Sequence, residues 1–89
     1  MEKQLVDRVE KNKRILDEVF GKLEMINPSK GADELLDGAK RYYEDGRYFL
    51  SKGDYVSSLE AFVISWAYVD AGLKLGLFRI PKEFSVYFT

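Results

Sequence analysis

Tyr48-Phe49-Leu50-Ser51-Lys52-Gly53-Asp54-Tyr55 decides the fold. Gly53 supplies the left-handed residue that closes a helix, and the Asp54 carboxylate caps the helix that follows. Eight of the thirteen aromatic residues lie between Tyr42 and Tyr68, at helical spacing on both sides of that break. The reading is a tight helical hairpin whose arms are joined by rings, with Gly46, Gly53, Asp54, Tyr55 and Trp66 as its structural residues. Gly46 lies on the apolar stripe of the first arm, where glycine costs up to about 1 kcal/mol relative to alanine. A close approach by a neighbouring backbone would explain its presence.

Working outward, the second arm is expected over about 55–75. Its seam of Tyr55, Leu59, Phe62, Trp66, Val69 and Leu73 runs in steps of four and three. Glu60, Asp70 and Lys74 are its only ionic residues, so this helix is the central element. The first arm is expected over about 30–51, starting between Pro28 and Asp33, because proline is tolerated only at a helix start. A further amphipathic helix is expected over about 2–26, with Leu5, Val9, Asn12, Leu16, Val19, Leu23 and Ile26 as its seam. Asn12, the one polar member, reads as a helix edge or a register-setting hydrogen bond. Pro81 ends helical pattern, and Phe84, Val86 and Phe88 alternate with Ser85, Tyr87 and Thr89 as in a strand. The fold class is therefore all-α: a single domain over 1–89, a three-helix antiparallel bundle with an apolar C-terminal extension.

Composition removes several functions. Fourteen basic residues are matched by fifteen acidic ones, for a net charge of -1, so no phosphate-tracking surface is expected. Cysteine and histidine are both absent, which removes thiol chemistry, the commonest general base and the commonest metal ligand. No apolar run reaches bilayer length, and the N-terminus reads as a charged helix rather than a signal peptide. A cytoplasmic location follows as an expectation. The scarcity of side-chain amides beside abundant Lys, Arg and Glu fits a thermophile.

Residues 42–65 resemble a single tetratricopeptide hairpin, with Tyr42, Gly46, Phe49, Ser58 and Phe62 on its aromatic and small positions. Asp70 departs from that pattern, standing where the repeat carries proline. A broader resemblance runs from Tyr42-Tyr43-Glu44-Asp45 through Leu59-Glu60-Ala61-Phe62 and Trp66-Ala67-Tyr68-Val69-Asp70-Ala71-Gly72 to Leu75-Gly76-Leu77-Phe78. It is similar to a family of short archaeal proteins catalogued as domain of unknown function 357. That resemblance implies a helical bundle and an archaeal cytosolic origin, and brings no activity.

Carboxylates are the only catalytic material. Asp45, Asp54, Glu60 and Asp70 sit beside apolar neighbours and are the candidates for a divalent cation. The competing structural readings are Asp54 as a cap and Asp70 paired with Lys74 across one turn. No cofactor is expected. Three functions follow in order: a non-enzymatic interaction or self-associating module; a small metal-assisted phosphoester hydrolase using those acids; and RNA binding through Lys40, Arg41 and Arg47 beside Tyr43 and Tyr48. The first leads because apolar surface is in excess. Val56, Val63, Ile64, Tyr68, Leu75, Phe78, Ile80, Phe84, Val86, Tyr87 and Phe88 are expected to form an interface with a second copy in a homodimer or with an unknown protein partner, the tail packing either back over its own third helix or on that partner.

Overall fold

Caps set the ends of the helices. The Ser29 hydroxyl accepts from the Ala32 N–H at 3.0 Å, and Asp54 Oδ1 accepts from the Ser57 N–H at 3.1 Å. Gly53 adopts φ +75° between them, the left-handed conformation that stops one helix and lets the next begin. The computed structural model describes residues 2–88, and its helices are α1 (Glu2–Lys22), α2 (Lys30–Ser51) and α3 (Tyr55–Lys74). A two-residue strand β1 (Glu24–Met25) follows α1, and a matching β2 (Phe78–Arg79) follows α3. A 3-10 helix spans Lys82–Tyr87.

β1 pairs antiparallel with β2, Glu24 opposite Arg79 and Met25 opposite Phe78. The C-terminal ends of α1 and α3 therefore share one end of the bundle, and α2 runs against both. The Asn27 side-chain amide donates to the Gly76 carbonyl at 2.6 Å, and the Ile26 N–H donates to the Leu77 carbonyl at 2.9 Å. These bonds correct the expected end of the first helix. Leu23 and Ile26 keep helical spacing in the sequence, but the chain leaves α1 at Lys22 to make the ladder.

The hairpin of α2 and α3 closes along small residues. Ala39 and Gly46 on α2, and Ser58, Ser65 and Gly72 on α3, are all buried. Gly46 is small because of a ring: a Cβ there would stand 2.5 Å from Phe62. The expected close approach is real, and its partner is a side chain, not a backbone. Tyr43 rather than Tyr42 enters the core, against Phe20 and Phe62, with ring centroids 4.8 and 6.3 Å away. Tyr42 stacks on Tyr68 at 5.8 Å instead.

α3 is the central element, packed against both other helices. Val9 and Leu16 of α1 meet Phe62, while Ile15 and Val19 meet Val69, Ala39 and Phe84. The tail completes this core. Trp66 Nε1 donates to the Tyr87 carbonyl at 3.1 Å, and the indole lies 5.3 Å from the Phe88 ring. Two expectations are corrected here. The expected strand at 84–88 is instead mostly the 3-10 helix, which buries Phe84 while leaving Val86 exposed. Phe78 and Phe84 are core residues of their own chain, and Ile80 and Phe88 pack half-buried beside them. Thr89 lies outside the described residues.

Candidate functional site

The packing of α3 on two helices leaves one face of it uncovered. Val56, Glu60, Val63, Ala67 and Lys74 are exposed on that face, and Asp70 is half-buried beside them. Spacings of three and four place them on one stripe. Val56 and Val63 keep 60% and 53% of their surface, and Leu75 keeps 68% at the helix end. Every ionic residue of α3 lies on this stripe. Lys74 Nζ is 2.5 Å from Asp70 Oδ2, while Glu60 has no ion pair among the described residues.

A groove of about 490 Å³ runs along one side of the stripe, between α1 and α3. Leu59, Val63, Trp66 and Ala67 make its apolar wall, and Arg8, Asn12 and Asp70 its polar edge. Asn12 is thus a helix-edge residue opening on the groove, with no side-chain hydrogen bond among the described residues to set a register. A second, more polar groove continues past Arg8, Asn12 and Trp66 to Tyr87.

The expected interface residues divide into two groups. Val56, Val63, Ile64, Leu75, Val86 and Tyr87 are exposed. Tyr68, half-buried, is stacked on Tyr42, and its ring edge sits 3.2 Å from where a Cβ on Gly38 would lie. Phe78 covers Gly72 so closely that a Cβ there would enter its ring.

The candidate acids do not assemble. Asp45 and Glu60 are exposed, Asp54 is spent on the α3 cap, and Asp70 holds Lys74. Hydrogen bonding from Ser57 holds the Asp54 carboxyl below its usual range. Among the described residues no three of Asp, Glu, His or Cys come together to hold a metal ion.

A polar cluster that sequence reasoning missed lies between α1 and α2. The Tyr43 hydroxyl donates a short hydrogen bond to Asp17 Oδ1, and Lys13 Nζ binds Oδ2 at 2.8 Å. Burial first, and the Asp17 carboxylate second, push the Tyr43 hydroxyl up to about 12. Burial raises the Asp17 carboxyl, yet hydrogen bonds from Lys13 and Tyr43 outweigh it and hold the carboxyl below its usual range. The Arg47 guanidinium lies 5.7 Å from the Tyr43 ring centroid. Tyr43 is therefore engaged with α1 through Asp17, while Arg47 stays exposed beside its ring. The signal available in the sequence was Tyr43 itself, a ring with a polar tip beside the seam.

The architecture defines an all-helical three-helix bundle with no helix, among the described residues, long and apolar enough to cross a membrane. A family model described as "Protein of unknown function (DUF357)" matches residues 13–78, and the chain belongs to that family. The crystal structure of protein AF1782 from Archaeoglobus fulgidus, of the same family, is similar at 28% identity and a TM-score of 0.76. The alignment covers 90% of this chain and 97% of that one. No curated protein matches the chain.

Proposed function

We propose that this protein is a non-enzymatic helical interaction module that works through the outer face of α3. The observation that carries the reading is the exposure of Val56 and Val63 on a helix otherwise packed on two sides. Scattered exposed apolar residues are ordinary, but these share a stripe, and Val63 borders an apolar-walled groove. An archaeal, thermophilic and cytoplasmic setting belongs to the same proposal, supported by the archaeal neighbour and the charged composition.

Site-specific photo-crosslinking in the cell of origin tests it. A photoreactive residue at Val63 should give discrete protein adducts, and one at exposed Lys3 should not. Adducts no more frequent at Val63 than at Lys3 would overturn the reading.

A further inference from the structure

Resting on that reading, we propose that a second copy of this chain covers the face, with the two α3 helices antiparallel about a two-fold axis at Ala67. In such a pairing, residues equally far from Ala67 on either side face each other. Glu60 lies seven residues before it and Lys74 seven after, so each Glu60 meets Lys74 of the second copy.

Charge favours this register over the one in which Val63 faces Ala67. The stripe carries two acids and one base, and Glu60 is the member left without an ion pair among the described residues. Sliding the second copy by one helical turn, so that Val63 faces Ala67, brings Glu60 opposite Asp70, acid on acid. The Ala67 register instead offers Lys74, already drawn to Asp70, a second carboxylate.

Size agrees with charge. Ala67 is the smallest exposed residue of the stripe, and a small residue at the crossing lets two helix backbones approach. Val63 flanks the crossing and sits at the mouth of the groove walled by Leu59 and Trp66. A two-fold contact is self-complementary, so one good half builds both halves. A single helix pair buries less than the roughly 1,200 Å² of a stable standard interface, so the dimer is a weak one, forming at high micromolar concentration.

The chain has no cysteine, so Ala67→Cys introduces a single thiol. Under mild oxidation this variant should form a disulfide dimer much faster than Lys3→Cys, because a disulfide needs Cα atoms within about 7 Å. Glu60→Lys should weaken association about ten-fold, since reversal at two symmetric pairs replaces attraction by repulsion. Adding Lys74→Glu to Glu60→Lys should restore it. Cross-linking of Ala67→Cys no faster than the Lys3→Cys control would overturn the proposal, whatever the charge variants do. If crosslinks from Val63 then capture other proteins and not this chain, the interaction reading stands and the second copy is excluded.

Discussion

The Ser58 hydroxyl donates to the carbonyl oxygen of Gly46 at 2.7 Å, across the buried seam between α3 and α2. Seven residues further along α3, Ser65 repeats the bond to Ala39, seven residues earlier on α2, also at 2.7 Å. Two serines in a hydrophobic seam would be costly if unpaired. Here each satisfies its hydroxyl on a helix carbonyl whose second lone pair is free. The bonds also fix the hairpin's register, because a slide of one residue breaks both.

On the α2 side of that seam, Gly46 should be the least replaceable residue. A methyl group there meets Phe62 at 2.5 Å, and a leucine would force the ring away. Gly46→Leu is expected to lose on the order of 1–3 kcal/mol by overpacking. Ser58→Ala, beside it, should lose only about 0.5–1.5 kcal/mol, the worth of one hydrogen bond. Denaturant melts read both. An unchanged midpoint in Gly46→Leu would contradict the close contact.

Tyr43 gives the protein an alkaline limit. Its pKa rises from 10.0 to about 12 on folding, so the folded state holds the phenolic proton more tightly. The stabilisation is complete below pH 10 and is lost as pH climbs through 12. Asp17 acts oppositely: its folded pKa lies below 3.8, so its contribution is present above pH 3.8 and fades as pH falls further. Tyr43→Phe should flatten the melting temperature between pH 10 and 12. A profile identical to wild type in that window would contradict the assignment.

The tail is expected to behave as core. Phe84 is buried against Ile15, Val19 and Val69, and Phe84→Ala should cost about 3 kcal/mol through the lost ring and the cavity left behind. Val86→Ala, on an exposed side chain two residues away, should change stability by under about 0.5 kcal/mol. Equal melting temperatures for the two variants would show that the tail is not part of the core.

Particular residues explain what could be read in advance. Gly53 and Asp54 marked the hairpin because a left-handed turn and a side-chain cap each demand a few residue types. Helix spans followed from apolar periodicity, as did the central place of α3. The β1–β2 ladder was not legible, since two-residue strands have no periodicity and Leu23 and Ile26 continue the α1 pattern by type. Phe84 alternated like a strand residue, and only the 3-10 turn shows why it is inside. Ser58 and Ser65 could not be told from surface serines, because their partners are backbone carbonyls of another helix. The outer face of α3 was legible as excess apolar surface, but Phe78, Ile80, Phe84 and Phe88 pack on their own chain and leave only Val86 and Tyr87 of the tail outside. Acids that looked available as separate letters are far less so as a cap and an ion pair.

Sedimentation equilibrium of the wild-type chain and of Val63→Glu, from low to high micromolar concentration, tests the central claim most directly. Val63 is 53% exposed, so the charge should leave the monomer's melting temperature unchanged. The wild-type mass should rise toward twice the 10.3 kDa chain with concentration, while Val63→Glu stays monomeric. Two superimposable monomer curves, or two equally concentration-dependent ones, would contradict the assignment of the outer face of α3 as the surface of self-association.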